Sequence, residues 1–176
     1  MLQPDLTMRQ SFAPFDLISL LTYSQSKDGQ IFPVIIGENS DSVSFRIYNN
    51  ANQNTGVADA HNVFLTTYDG ATSASHTTSK SVVSQSWIHV YEDGYGEGVS
   101  QPGLFTQYYG EDTSIGGSNI YYVEKASDGS NASSIRAGST HNDFGFIQIK
   151  SYASIPAIAG DYIWNFVLVA EYDWTP

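Results

Sequence analysis

The chain has 176 residues, an apolar fraction of 41% and no cysteine, so one domain can bury a core without disulfides or thiolate metal sites. Seven lysines and arginines face 18 aspartates and glutamates, giving a formal net charge of −11. So few cations argue against the basic patch that phosphate backbones and anionic membranes attract, and we expect neither nucleic acid nor a membrane as partner.

The first residues predict an arm that precedes a single domain. Residues 1–16 are polar and contain proline, and we expect them to form an N-terminal arm in which Phe12 and Phe15 dock on a neighbouring subunit. Residues 17–176 contain no linker and no internal repeat, which indicates one domain. The apolar run Leu17–Leu21 is too short for a signal-peptide core and lacks a basic leader, so no export signal is predicted.

Alternating hydrophobicity predicts strands along most of the domain. In Ser42–Tyr48, for example, Val43, Phe45 and Ile47 share one face, as they would in a half-buried strand. The other predicted strands are Ile31–Ile36, Asn62–Tyr68, Ser86–Tyr91, Leu104–Tyr109, Asn119–Glu124, Phe144–Ile149 and Tyr162–Tyr172. These eight or nine strands, separated by turns rich in Gly, Asn and Asp, predict an all-β fold. We expect a single antiparallel β-sandwich with immunoglobulin-like or jelly-roll topology.

An acidic segment follows the strand predicted over Ser86–Tyr91. Its two glycines favour a loop, which would carry Glu92, Asp93 and Glu97 together. Calcium binds six to eight oxygens, often from such loops, so these three carboxylates are candidate calcium ligands. Their spacing is not that of an EF-hand, and turn formation alone is the alternative explanation. No other cofactor is expected.

Tyrosine is abundant, with 12 residues in the chain. Side chains alternate along a strand, so each of the adjacent pairs Tyr108–Tyr109 and Tyr121–Tyr122 should turn one ring outward. Subunit interfaces favour exposed tyrosines, and we expect these four residues and Trp174, near the end of the chain, to contact partners. The alternative is that they are core residues and cross-strand pairs.

No arrangement of residues typical of catalysis is found in the sequence. The chain lacks a glycine-bracketed nucleophilic serine. Its four histidines do not have metal-ligand spacing; they are His61, His76, His89 and His141. No glycine-rich loop precedes a helix, so a phosphate-binding site is not indicated. We therefore expect a protein that is not an enzyme.

Two stretches resemble immunoglobulin-like sandwich modules of surface and virion proteins. They are VSFRIYNN with GVADAHNVFLTTYDG, between Val43 and Gly70, and GDYIWNFVLVAEYDW, from Gly160 to Trp174. In such modules a strand, an Asn- and Gly-rich turn and a corner lead into the next strand. The overall composition is similar to that of structural proteins of tailed phages, such as head-decoration, capsid-associated and tail components.

The sequence therefore favours a virion structural protein that assembles through its terminal segments. Its partners would be other virion subunits or copies of itself in a homo-oligomer, and its location would be the virion. One alternative is a filament or surface-layer subunit at the outside of a prokaryotic cell. A further alternative is a carbohydrate-binding module that uses exposed aromatic rings.

Overall fold

A computed structural model describes residues 1–9, 37, 39, 42–69, 86–98, 105–138, 144–154 and 166–176. These ranges hold nine strands: β1 (Leu6–Arg9), β2 (Val43–Asn49), β3 (His61–Asp69), β4 (Ile88–Glu97), β5 (Phe105–Gln107), β6 (Thr113–Ile115), β7 (Tyr121–Tyr122), β8 (Gly145–Ala153) and β9 (Phe166–Asp173). No helix occurs in them, and hence none of a length and apolarity that would cross a membrane. The predicted all-β fold is confirmed.

The strands form two antiparallel sheets that pack as a β-sandwich. The larger sheet has six strands in the order β1-β2-β8-β4-β5, and β6 also pairs with β4. The smaller sheet has the order β7-β3-β9. Strands that are neighbours in a sheet are mostly far apart in sequence, so the fold depends on long-range pairing.

The core lies between the sheets and follows the predicted alternation. Phe45 and Ile47 of β2, Val63 and Leu65 of β3, and Ile88 of β4 are all buried in one continuous apolar cluster. Burying one such side chain stabilises the fold by about 2 kcal/mol. The predicted strands over residues 42–48, 62–68, 144–149 and 162–172 correspond to β2, β3, β8 and β9, whereas the one predicted over Ile31–Ile36 lies outside the described residues.

A second, smaller cluster lies on the opposite face of the six-stranded sheet. Tyr48, Phe144 and Phe146 are buried there, and Phe105 of β5 packs against them. The rings of Phe105 and Phe146 are parallel within 2°, with centroids 6.2 Å apart. The guanidinium carbon of Arg46 lies 4.6 Å from the Phe146 centroid, within the range of a cation–π contact.

Part of the predicted N-terminal arm belongs to the sandwich. Strand β1 pairs antiparallel with β2, and the side chains of Leu6 and Met8 pack against the core. Leu2 also forms a bridge with Val57. Residues 10–16 and the predicted boundary after residue 16 lie outside the described residues, so that boundary stays a prediction.

The predicted loop at Glu92–Glu97 is wrong, because β4 runs through it to Glu97. A β-bulge between Glu92 and Gly94 accommodates the extra residue opposite β8. Gly94 is required for close packing: a Cβ there would lie 2.8 Å from the Thr106 carbonyl oxygen and closer still to the Phe105 ring. Gly94 therefore serves strand packing rather than a turn.

Candidate interaction surface

Two tyrosines project from the surface of the sandwich. Each of the adjacent pairs Tyr108–Tyr109 and Tyr121–Tyr122 has one ring turned outward, as alternation predicts. Tyr109 is 65% exposed and Tyr122 is 55% exposed, whereas Tyr121 is buried and Tyr108 is half-buried. Because exposed aromatic rings are enriched at protein interfaces, both outward tyrosines are candidates for partner contacts.

The backbone on both sides of Tyr109 is held against β4. The N–H of Tyr108 donates to the Asp93 carbonyl at 3.3 Å, and the N–H of Gly110 donates to the Glu92 carbonyl at 2.8 Å. Tyr109 is thus exposed but fixed in position. A ring that is already positioned loses less conformational entropy when a partner binds.

The side chain of Tyr109 adjoins the outer face of the six-stranded sheet. The side-chain amide of Gln107 donates to the Tyr109 hydroxyl. Tyr91 of β4 lies opposite Lys150 of β8, whose Nζ is 3.4 Å from Oδ1 of the buried Asp93. Burial alone would lower the pKa of Lys150, but the nearby Asp93, Tyr91 and Tyr109 outweigh it and raise that pKa.

A histidine, a tyrosine and an aspartate continue this face along β4 and β8. The rings of His89 and Tyr152 stack with centroids 4.8 Å apart and planes 16° apart. Asp112 joins them, because its Oδ1 lies 3.0 Å from His89 Nδ1 and its Oδ2 accepts the Tyr152 hydroxyl. Burial and the hydrogen bond to Asp112 raise the pKa of Tyr152 to about 12.

Together these residues form one aromatic and polar surface. It combines the exposed Tyr109 ring and half-buried rings with hydrogen-bonding groups, and Lys150 is ion-paired with Asp93. We call it the Tyr109 surface, and it consists of His89, Tyr91, Gln107, Tyr109, Asp112, Lys150 and Tyr152.

The remaining predicted interface residues lie elsewhere. Tyr122 is on the outer face of the smaller sheet, where its ring is 5.4 Å from that of Phe64. Trp174 follows β9 and is half-buried. Phe12 and Phe15 lie outside the described residues, so their predicted role stays a prediction.

The three candidate calcium ligands have separate partners. Glu97 pairs with Arg136, Asp93 pairs with Lys150, and Glu92 accepts hydrogen bonds from backbone amides. In the described part of the chain, no three His, Asp or Glu side chains are grouped so that they could hold a metal ion. The geometry of these residues gives the calcium prediction no support.

Glu92 instead links the two sheets from inside the protein. It belongs to β4 and is 0% exposed. Its Oε2 accepts the backbone N–H groups of Glu124 and Lys125, which follow β7 of the other sheet, each at 3.0 Å. Its own N–H donates to the hydroxyl of Tyr121 at 3.1 Å. Its Oε1 is buried and has no hydrogen-bond partner among the described residues.

This environment favours the neutral form of Glu92. The pKa of Glu92 is raised to about 7, chiefly by burial and to a smaller extent by the charge of Glu124, against the opposing effect of the two backbone hydrogen bonds. The Glu124 side chain has its own hydrogen-bond partner, because its Oε2 accepts the hydroxyl of Tyr108 at 2.6 Å. That hydrogen bond, with a smaller effect of burial, raises the pKa of Tyr108 to about 12.

The role of Glu92 was missed in the sequence, although a signal for it exists. Every second residue of the strand faces the core, beginning with Ile88 and Val90, and Glu92 is the next residue on that face. An ionisable residue in register with core positions indicates a buried acid. The neighbouring glycines hid this signal because they favoured a loop.

Comparison with protein-family models and with curated proteins found no match to this chain. The resemblance to immunoglobulin-like modules of virion proteins therefore stays a prediction.

Proposed function

We propose that this chain is a non-catalytic structural subunit of a larger assembly. The composition of the chain favours a virus particle as that assembly. Copies of the chain would associate with one another, or with other subunits, through the Tyr109 surface. The observation that carries the proposal is the Tyr109 ring, which is 65% exposed while its flanking backbone is hydrogen-bonded to β4. Fixed, exposed aromatic residues are typical centres of interface binding energy.

The surroundings of the ring also suit an interface. Lys150 and Asp93 form an ion pair, and the Asp112 carboxylate is hydrogen-bonded to His89 and Tyr152. Paired charges are less costly to cover than single ones, because each keeps its partner when water is removed. The net charge of −11 opposes association between copies, so the contact must depend on apolar and hydrogen-bonding groups such as these.

The test is self-association of the isolated chain, measured by sedimentation equilibrium. Tyr109→Ser should weaken association by at least about tenfold, the loss expected of a central interface residue. Tyr122→Ser removes the other outward ring, which is 55% exposed on the smaller sheet and lies outside the Tyr109 surface. It serves as the matched control, with an expected loss below about threefold. A wild-type chain that stays monomeric, or a Tyr109→Ser variant that associates normally, would overturn the proposal.

Carbohydrate binding is a second candidate, favoured by the same exposed ring beside the hydrogen-bonding groups of Gln107 and Lys150. Sugars stack on aromatic faces and satisfy their hydroxyls with neighbouring polar groups. Binding on a glycan array that disappears in Tyr109→Ser but not in Tyr122→Ser would favour this function. Self-association without glycan binding would favour the structural one.

A further inference from the structure

We propose that Glu92 is a proton-controlled clamp, and that its protonation state determines how firmly residues 107–112, which carry Tyr109, are held against the sandwich. The functional meaning of this clamp rests on the proposed function, since it would regulate the Tyr109 surface. The existence of the clamp does not depend on the proposed function, because it follows from the contacts around one buried carboxyl group.

Glu92 is where three parts of the chain meet. Its side chain binds the backbone after β7, its N–H binds Tyr121 of β7, and its carbonyl accepts the N–H of Gly110. Glu92 therefore connects the two sheets, and its carboxyl group reaches the segment that carries Tyr109 through Glu124, whose side-chain oxygens accept the Tyr108 hydroxyl and the Glu111 N–H.

The two oxygens of the carboxyl group are in different situations. Oε2 accepts two N–H groups, as the carbonyl oxygen of a neutral acid can. Oε1 is buried without a hydrogen-bond partner among the residues described. A charged oxygen in that position would be neither hydrated nor paired, which is far more costly than a neutral hydroxyl there.

Gly110 lies close to the groups that surround Glu92. The Cβ position of Gly110 is 2.6 Å from the Tyr121 hydroxyl, 3.1 Å from Oε2 of Glu124 and 3.1 Å from Cβ of Glu92. Gly110 thus packs closely against groups that surround Glu92. Because Glu124 holds this segment through Tyr108 and Glu111 and repels an ionised Glu92, ionisation should loosen the segment on which Tyr109 lies.

The charged and titratable groups around Glu92 strengthen the effect. Glu124 repels an ionised Glu92, and Tyr121 and Tyr108 are kept neutral by their raised pKa values. Lys125 attracts the ionised form, but its effect is the smallest. Asp93 is adjacent on β4 and is paired with Lys150 on the other face of the sheet.

The raised pKa of Glu92 determines whether the closed form is more stable at low or at high pH. The pKa of Glu92 is about 7 in the folded chain and 4.5 ordinarily. Proton binding therefore stabilises the closed form; this stabilisation is complete below pH 4.5 and is lost as the pH rises to 7. The clamp is closed in mild acid and loosens above neutral pH.

The experiment is amide hydrogen exchange of the isolated chain, corrected for the intrinsic pH dependence of exchange. The amides to follow are those of Gly110 and Tyr108, which are bonded to the carbonyls of Glu92 and Asp93. Between about pH 5.5 and about pH 8.5, their protection should fall roughly 30-fold in the wild type if opening returns Glu92 to its ordinary pKa. Glu92→Gln should abolish this pH dependence.

The matched control is Glu111→Gln, which neutralises an exposed carboxyl group in the same segment and should keep the roughly 30-fold change. Protection that does not depend on pH in the wild type, or that falls equally in Glu92→Gln, would overturn the clamp. If Glu92→Gln does not fold, carbon-detected NMR titration of the wild-type Glu92 carboxyl decides: a midpoint near 7 supports the clamp, and one near 4.5 refutes it.

Regulation of the Tyr109 surface is tested separately by the pH dependence of self-association. Association should weaken above neutral pH in the wild type and stay constant in Glu92→Gln. If Tyr109→Ser shows that the surface does not mediate association, the proposed function fails. The exchange measurement, made on the isolated chain, still decides whether the clamp exists.

Discussion

Asn49 shows how a single buried amide can connect distant parts of this chain. It is 0% exposed at the end of β2. Its Nδ2 donates to the carbonyls of Ala58 and Ile135, each at 2.9 Å, and its Oδ1 accepts the N–H of Asp5 at 3.0 Å. One side chain therefore binds backbone groups from three separate segments, and the Ile135 carbonyl also accepts the N–H of Ala60.

Asn49→Ala should lower the free energy of unfolding by about 3 kcal/mol, because it removes three hydrogen bonds to backbone groups and opens a small cavity. Urea unfolding of the variant and the wild type measures the difference. Asn52→Ala is the control: Asn52 is exposed and makes one hydrogen bond, to Asp5 Oδ2. Its effect should stay within about 0.5 kcal/mol. Equal losses in the two variants would contradict the role given to Asn49.

The residues of the core could be predicted, but the polar contacts could not. Alternation placed Val43, Phe45 and Ile47 on one face, and all three are buried. The partners of Asn49 and Glu92 lie far along the chain, at separations up to 86 residues. A local pattern contains no information about such pairs, so an Asn or Glu beside a turn reads as a surface residue.

At the scale of elements, the long strands were predictable, and the short β5 and β7 lie within the strands predicted over Leu104–Tyr109 and Asn119–Glu124, whereas β1 and β6 were not predicted. Strands β2, β3, β8 and β9 have seven to nine residues with a clear apolar face. Strands β1 and β6 have four and three residues, too few for a pattern, and exist because their backbones pair with β2 and β4. The extension of β4 was missed because bulges and turns use the same residue types.

The Gly94 position tests whether β4 needs glycine for packing. Gly94→Ala should destabilise the chain by about 2 kcal/mol, because its Cβ would overlap the Phe105 ring and the Thr106 carbonyl oxygen. The unfolding midpoint in urea measures this. Thr106→Ala changes an exposed residue on the same strand pair and should cost below about 1 kcal/mol. A Gly94→Ala variant as stable as the wild type would mean that β5 can shift without loss.

At the scale of the whole molecule, the two ends of the described chain contact each other as well as the sandwich. The hydroxyl of Tyr172, on β9, accepts a hydrogen bond from the Gln3 side chain at 3.0 Å and lies 3.3 Å from the Pro4 carbonyl oxygen. The predicted docking role of the terminal segments must be reconciled with these contacts. A segment that already binds its own domain can reach a neighbour only by leaving it, as in strand exchange.

The sequence alone favours an N-terminal arm that is separate from the domain, and the structure leads to the opposite expectation for its first nine residues. Deleting residues 1–9 removes β1 from the larger sheet and takes Leu6 and Met8 from the core. The free energy of unfolding should fall by about 3 kcal/mol, from lost apolar burial and from the exposed edge of β2. Leu6→Ala should reproduce part of this loss, whereas Leu2→Ala, at an exposed position, should not. An unchanged urea midpoint in the deletion would show that β1 contributes nothing to the fold, and would restore a detachable arm as the means of assembly.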